Sequence, residues 1–218
     1  MVVTNHGSIG GVPRTGVWFS EFTEPFNLLV QEGVEVTVAS PLGGPAPVDP
    51  RGYPSKEQIV EVRDALERLN ATVPLAAVKA EDFDGIFIPG GHGPMFDLAT
   101  DAPVKRLIAD FWQAEKAVSA VCHGPASLLN VVLPGGVTLL KGKTVTGFTH
   151  GEDEADALFQ YMPFSLQDRM TAEGTNFIEN APRSSHVEVD GRLVTGQNPT
   201  SALATAAAFL TVLRGNGA

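Results

Sequence analysis

Cysteine is almost absent from this sequence, and its scarcity excludes several classes of protein. The single cysteine among 218 residues is Cys122, so an intrachain disulfide and a cysteine-rich metal site are both impossible. Apolar runs of the roughly 20 residues that a membrane-spanning helix needs are also missing. The first residues lack a basic leader followed by a long apolar segment, so we expect no signal peptide. These absences predict a cytoplasmic protein with no membrane partner.

Basic residues are outnumbered as well. The chain has 15 Lys and Arg against 25 Asp and Glu, which gives a net charge of -10. This charge argues against nucleic acid and anionic membrane surfaces as partners, and favours a small, neutral or weakly polar substrate. With 43% hydrophobic and 18% charged residues, the composition is that of a globular protein, and the length predicts a single domain over residues 1–218.

Short apolar runs alternate with helical patterns along the chain, and Pro41–Pro54 is interpreted as a surface loop. We predict strands at Val2–Thr4, Val34–Ser40, Gly85–Pro89, Ala117–Val121 and Thr144–Gly147, and a hairpin of His186–Val189 with Arg192–Thr195. We predict helices over Pro25–Glu32, Lys56–Asn70 and Ala102–Glu115, and a last one that Asn198 and Pro199 open. This order predicts a three-layer α/β/α sandwich with a mainly parallel, flavodoxin-like sheet and a C-terminal β-hairpin.

The only cysteine lies where a predicted strand meets a predicted helix. Residues 118–125 read Val-Ser-Ala-Val-Cys-His-Gly-Pro, and the helix-forming stretch Ala126–Val132 follows. Strand, sharp turn and helix are the parts of a nucleophile elbow, which presents a reactive side chain at the carboxyl end of a strand. A helix start there would lower the pKa of the Cys122 thiol. The alternative is that Cys122 is a buried small hydrophobe.

A cysteine nucleophile needs a base and a group that orients this base. His123 is the candidate base, and its alternative role is that of a capping or surface histidine. Glu152, Asp153 and Glu154 are candidates for the orienting carboxylate, because they follow a predicted strand. Their alternative role is that of acidic residues in the first turn of a helix over Glu152–Phe159, where the helix dipole favours them.

Donors for an oxyanion and a proton relay complete the set of candidates. The backbone N–H groups of Gly90, Gly91 and His123 are candidate oxyanion donors, and His92 in the same loop is a candidate for substrate binding. Glu21 lies among aromatic and aliphatic residues, so burial is expected to raise its pKa. A protonated carboxyl beside the sulfur could then donate a hydrogen bond and move protons.

Four motifs occur together in this order: Gly-Gly-His-Gly, Val-Cys-His-Gly-Pro-Ala, Thr-Gly-Phe-Thr and Asp-Gly-Arg-Leu-Val-Thr-Gly-Gln-Asn-Pro. With them, the chain resembles the ThiJ/PfpI superfamily of the class I glutamine amidotransferase-like fold, from Thr4 to the last helix. Within it, the chain is similar to the branch of glutathione-independent glyoxalases (glyoxalase III, D-lactate dehydratase), which includes stress-inducible chaperones.

The resemblance implies a triad of Cys122, His123 and an acid at Asp153, with Glu152 as a substitute because many relatives carry glutamate there. It places Glu21 beside the cysteine. It also implies no cofactor, no metal and a homodimer. Asp49-Pro-Arg-Gly-Tyr-Pro resembles a loop near the pocket of the family, without an assigned contact.

The function that the resemblance implies is conversion of methylglyoxal, or a similar 2-oxoaldehyde, to a 2-hydroxy acid, with protein deglycation as a related activity. One alternative is a stress chaperone or redox sensor that uses the same thiol. Another is a glutamine amidotransferase or peptidase, because His186-Val-Glu188 imitates the His-x-Glu pair of amidotransferases. Against the latter, a histidine already follows the cysteine, and His186 begins a predicted hairpin strand.

Overall fold

The computed structural model describes residues 1–9, 14–55 and 62–215. The α-helices are α1 (Phe19–Gln31), α2 (Arg63–Asn70), α3 (Ala102–Gln113), α4 (His150–Ala155), α5 (Leu166–Ala172) and α6 (Ala202–Gly215). The strands are β1 (Ala39–Ser40), β2 (Val73–Pro74), β3 (Gly85–Ile88), β4 (Ala117–Val121), β5 (Thr144–Val145), β6 (Asn176–Phe177), β7 (Val187–Asp190) and β8 (Leu193–Gly196).

The main sheet has the order β3-β4-β8-β7. Its first three strands are parallel, and β7 pairs with β8 as the predicted antiparallel hairpin. The N-terminal segment extends the sheet, because the N–H of Val2 donates to Phe87 and that of Val3 donates to Ala39. Helix α6 packs on β4 and β8 and against α1, while α3 packs on β3 and β4. The predicted mainly parallel three-layer α/β architecture is confirmed.

The central strand explains why the sheet forms where it does. All five residues of β4 are buried, which is typical of a parallel strand covered by helices on both faces. Helix α3 begins at an N-cap, Asp101, whose side chain accepts a hydrogen bond from the N–H of Val104. None of the helices in the described ranges combines the length and the apolar character that a membrane span requires.

Three predicted strands are shorter than expected. Val34–Ser40 is a strand only at β1, Val2–Thr4 makes a single bridge at Val2, and Thr144–Gly147 is reduced to β5.

The predicted helix boundaries also need correction. Helix α1 begins at Phe19 rather than Pro25, and Pro25 lies within it. The helix predicted over Lys56–Asn70 is present as α2, and residues 56–61 lie outside the described part of the chain. Helix α3 matches its prediction within two residues at its end, and a short 3-10 helix at Pro199–Ser201 precedes α6.

Two further helices near the elbow differ in kind or position. The predicted helix Glu152–Phe159 is α4, which begins earlier because Thr149 caps it. The predicted helix Ala126–Val132 is instead a 3-10 helix, Gly124–Leu128. Its carbonyl groups at Ala126 and Ser127 accept hydrogen bonds from the Lys105 ammonium, and Asn130 then turns the chain with φ 56°.

Candidate active site

Cys122 occupies a tight turn directly after β4. Its φ of 61° is in the left-handed region, which a residue with a side chain adopts only when its surroundings enforce it. Two backbone hydrogen bonds do so: the N–H of Cys122 donates to Gly196 at 2.9 Å, and its carbonyl accepts from Phe148 at 2.8 Å. The local geometry is therefore that of the predicted elbow, followed by a 3-10 helix instead of an α-helix.

His123 lies between the sulfur and a carboxylate. Its Nδ1 is 3.4 Å from Sγ of Cys122, and its Nε2 is 3.0 Å from Oδ1 of Asp153. Because a carboxylate only accepts, the proton of the neutral ring lies on Nε2 and Nδ1 is free to take a proton from the thiol. The ring packs against Phe148, with centroids 4.4 Å apart. All of these groups are buried.

Of the three candidate orienting acids, Asp153 contacts His123, with Oδ1 at 3.0 Å from Nε2, whereas Glu152 does not. Burial alone would raise the pKa of Asp153, but His123 and His92 outweigh burial and lower it. Glu152 is directed away, since its carboxylate caps α4 through Thr149.

The remaining donors to Glu152 explain its direction. Its carboxylate also accepts from the side chains of Gln197 and Asn198 and from the N–H of Arg183. The suggestion that Glu152 substitutes for Asp153 is therefore corrected: Glu152 fastens α4 to the loop after β8. Glu154, the third acid, is exposed, with Nε2 of His150 at 3.4 Å from Oε1.

Glu21 projects from the first turn of α1 toward the sulfur. It is fully buried, and Oε2 accepts a hydrogen bond from the N–H of Gly90 at 2.9 Å. Burial raises the pKa of Glu21 to about 8, while the adjacent Cys122 acts in the opposite direction. At neutral pH this side chain is therefore a protonated carboxyl that can donate a hydrogen bond to sulfur.

The expected lowering of the thiol pKa is wrong. Burial raises the pKa of Cys122 well above its usual value, and the adjacent Glu21 raises it further. Two buried acidic groups in contact cannot both ionise, because the charges repel each other in a medium that screens poorly. The resting thiol is therefore neutral, and a base has to deprotonate it during attack.

Two of the three predicted oxyanion donors are directed to the sulfur. The N–H groups of Gly91 and His123 are near enough to the sulfur to lower the pKa of the thiol, whereas that of Gly90 donates to Glu21. Gly90 is needed for another reason, since a Cβ there would lie 2.6 Å from Oε2 of Glu21 and 2.8 Å from Cβ of Cys122. The backbone N–H groups of Gly91 and His123 stay the predicted oxyanion donors, because the N–H of Gly90 is engaged by Glu21.

His92 lies beside His123, with ring centroids 4.4 Å apart. Its Nε2 is 3.7 Å from Oδ1 of Asp153, and its Nδ1 is 3.0 Å from Nη2 of Arg51. Arg51 is held in turn by the buried carboxylate of Asp49. No contact of this loop was predicted, and only the Asp49-Pro-Arg motif indicated that the loop is near the pocket.

A cavity of about 240 Å³ opens above the sulfur. Its lining combines aromatic walls with a polar rim: Trp18, Gly91, His92, Cys122, His123, Phe148, Glu152, Asp156, Arg183, Asn198, Pro199 and Thr200. Arg183 at the rim is paired with Asp156 at 2.9 Å, so the rim carries no net charge from this pair. Such a cavity suits a small, uncharged ligand.

Two other groups bear on alternative chemistry. The ligand atoms of His92, His123 and Asp153 lie within 4.8 Å of one another, a donor set that a divalent metal could use. The same residues also contact one another directly, as in the hydrogen bond between His123 and Asp153. The geometry therefore does not decide between the two, and the absence of a metal stays a prediction. His186 and Glu188 pair with each other at 3.0 Å and do not line the cavity of Cys122.

Comparisons with known proteins find a family model, relatives and solved structures that this chain resembles. Residues 15–212 match the model of the DJ-1/PfpI family. The chain is 33% identical over 216 residues to the glutathione-independent glyoxalase hsp3101 of Schizosaccharomyces pombe, covering 91% of this chain and 88% of that protein.

Two solved structures superpose closely. The crystallographic structure of APC35852 has a TM-score of 0.93 at 37% identity, covering 99% of this chain and 97% of that one. The crystal structure of glyoxalase III from Candida albicans has a TM-score of 0.87 at 28% identity, covering 97% and 95%.

Proposed function

The chain belongs to the DJ-1/PfpI family, and from this membership and the Cys122 site we propose that it is a glutathione-independent glyoxalase. Its substrate would be methylglyoxal or a similar small 2-oxoaldehyde, which it converts to a 2-hydroxy acid by adding water. The observation that carries the proposal is the contact series from Cys122 through His123 to Asp153, with the acid Glu21 on the other side of the sulfur.

The first step joins the sulfur to the aldehyde. As Sγ of Cys122 attacks the aldehyde carbon, Nδ1 of His123 takes the thiol proton and the S–C bond forms. The aldehyde oxygen becomes an oxyanion beside the N–H groups of Gly91 and His123, and protonation yields a hemithioacetal. Asp153 stabilises the imidazolium that His123 becomes.

The second step moves hydrogen within the substrate. His123, neutral again, removes the proton from the former aldehyde carbon, and an enediolate forms. A proton then returns to the neighbouring carbon, for which the carboxyl of Glu21 is the proposed relay. The aldehyde carbon is thereby oxidised to a thioester and the ketone carbon is reduced to an alcohol.

In the last step, water cleaves the thioester. The products are the 2-hydroxy acid and the free thiol of Cys122. Because the substrate supplies both the oxidised and the reduced carbon, the sequence of steps needs no glutathione and no redox cofactor.

The test is consumption of methylglyoxal by the purified protein in the absence of glutathione, with lactate as the measured product. We expect Cys122→Ala to lower kcat at least about a thousandfold, because no covalent intermediate can form. His186→Gln is the matched control and should retain the rate, since His186 lies outside the cavity. Lactate formation by Cys122→Ala at the wild-type rate, or glutaminase activity that depends on His186, would contradict the proposal.

The same intermediate extends the proposal to aldehyde adducts on proteins. A hemithioacetal or aminocarbinol could reach the sulfur because exposed residues such as Arg183 and Thr200 border the cavity. A redox-sensing role is less well supported, because a neutral buried thiol reacts slowly with oxidants. From the family resemblance, we also propose that the protein acts as a homodimer in the cytoplasm.

A further inference from the structure

A series of polar contacts reaches Asp153 from the side opposite to His123. It begins at Asp49, which is fully buried and accepts a hydrogen bond from the hydroxyl of Thr15 at 3.0 Å. Both Nε and Nη2 of Arg51 donate to the two oxygens of this carboxylate. This paired contact fixes the plane of the guanidinium and directs Nη2 toward His92.

Arg51 determines which nitrogen of His92 carries the proton. A guanidinium can only donate, so Nδ1 of His92 accepts at 3.0 Å, and the proton of the neutral ring must lie on Nε2. That Nε2–H faces Oδ1 of Asp153 at 3.7 Å, which is about half an ångström beyond hydrogen-bond range.

One end of this gap, and the second oxygen of the carboxylate at the other end, lack hydrogen-bond partners. Within the described part of the chain, Nε2 of His92 and Oδ2 of Asp153 are buried side-chain atoms without a hydrogen-bond partner. Such groups are costly, so a short movement that joins the ring to the carboxylate is favourable. During turnover His123 gains and loses a proton, so the charge that the Asp153 carboxylate faces changes. A hydrogen bond from His92 would hold the carboxylate in place through this change.

We propose that Arg51 and His92 are positioning residues, in which Arg51 fixes the His92 tautomer and His92 donates from Nε2 to hold the Asp153 carboxylate against His123. This inference rests on the proposed function for the role of His123. In this proposal, the Asp49-Pro-Arg loop holds Arg51 against His92. The role of His92 is then to position Asp153 and not to bind substrate.

The electrostatics explain how two adjacent imidazoles keep different roles. Burial, the neighbouring His123 and the charge of Arg51 lower the pKa of His92 to about 4, although Asp153 opposes this shift. His92 therefore stays neutral at physiological pH and does not compete for the proton that His123 carries. Without Arg51, either nitrogen of His92 could be protonated. A cationic His92 would then pair with the Asp153 carboxylate in competition with His123.

The kinetic test compares two substitutions at one position. His92→Phe keeps a flat ring beside His123 but cannot donate, and we expect kcat to fall about tenfold with KM changed less than twofold. His92→Gln should recover part of this loss, because its amide can donate to Asp153. A change in KM alone, or equal rates for the two variants, would overturn the proposal in favour of a ligand contact or simple packing.

The pH dependence tests Arg51. Arg51→Met removes the charge and the donor, so the pKa of His92 should rise. The acidic limb of the pH–rate profile should therefore move to higher pH than in the wild type. The additional His92→Gln substitution should cancel this displacement. An unmoved acidic side in Arg51→Met overturns the role of Arg51.

A spectroscopic measurement separates this inference from the proposed function. Long-range ¹H–¹⁵N correlation spectra of the wild-type protein, assigned with His92→Gln, report the protonated ring nitrogen without any turnover. We expect the Nε2–H tautomer of His92 from pH 6 to 8. An Nδ1–H tautomer overturns the inference even if methylglyoxal is consumed, and the expected tautomer upholds the geometry even if it is not.

Discussion

At the residue scale, the site depends on two buried acids, the Glu21 carboxyl and the Cys122 thiol, that cannot both be ionised. Glu21 and Cys122 are in contact and both are fully enclosed, and the pKa of each is raised. The resting pair is therefore a carboxyl and a thiol, and the charge appears on sulfur only when His123 accepts a proton. A strand-to-helix turn by itself would lower the pKa of the Cys122 thiol. Burial beside Glu21 raises this pKa instead.

This charge state predicts the pH dependence of turnover. The carboxyl of Glu21 is protonated below about pH 8, so its contribution as a proton donor should be lost as the pH rises through about 8. Glu21→Gln should lower kcat about a hundredfold, because an amide cannot relay a proton. It should also remove this alkaline decline, which steady-state rates from pH 6 to 9.5 would measure. An identical alkaline profile in the variant would exclude Glu21 from the site.

At the scale of elements, short turns rather than long helices hold the chemistry. The elbow is fixed by backbone hydrogen bonds from Cys122 to Gly196 and from Phe148 to Cys122, which tie three segments together. The periodicity of the sequence predicted the long α3 correctly. It did not predict the two-residue strands or the 3-10 helix after the elbow, because these depend on strand partners and on contacts, such as those of Lys105, from remote segments.

The glycine turn after β3 gives a prediction at this scale. Gly90→Ala should destabilise the protein by about 1–3 kcal/mol and inactivate it, because its Cβ would meet Oε2 of Glu21 at 2.6 Å. Gly151→Ala is the matched control: a Cβ there meets nothing within 4 Å and lies in α4, so stability should be unchanged or slightly higher. Denaturant unfolding and methylglyoxal turnover measure both effects, and a Gly90→Ala variant with normal activity would contradict the assigned geometry.

At the scale of the whole molecule, the parallel sheet collects distant residues at one edge. β3 and β4 end beside each other, which brings the loop of Gly91 next to Cys122. Helix α1 then contributes Glu21 from the N-terminal side, and α4 contributes Asp153. Burying these ionisable groups lowers the unfolding free energy of the whole protein when they are charged.

Stability should therefore depend on pH through Glu21. Its folded pKa of about 8 lies above its ordinary 4.5, so the stabilisation is complete below pH 4.5 and is lost as the pH rises to about 8. Glu21→Gln removes this loss. Relative to the wild type, the variant should gain roughly 3–4 kcal/mol in unfolding free energy between pH 5 and pH 8. Denaturant unfolding at the two pH values measures the gain, and a difference that is independent of pH would refute the raised pKa.

The sequence by itself determined the alternation of strands and helices, the position of the elbow at Cys122 and the set of candidate partners. These follow from local patterns: apolar periodicity, a Gly-Pro after the cysteine, and acids at the start of a helix. Only the tertiary structure decided that Asp153 rather than Glu152 faces His123, that Gly90 serves Glu21, and that Arg51 reaches His92. The physical reason is that neighbours in sequence share the same local pattern, whereas the direction of a buried side chain depends on hydrogen-bond partners from remote segments.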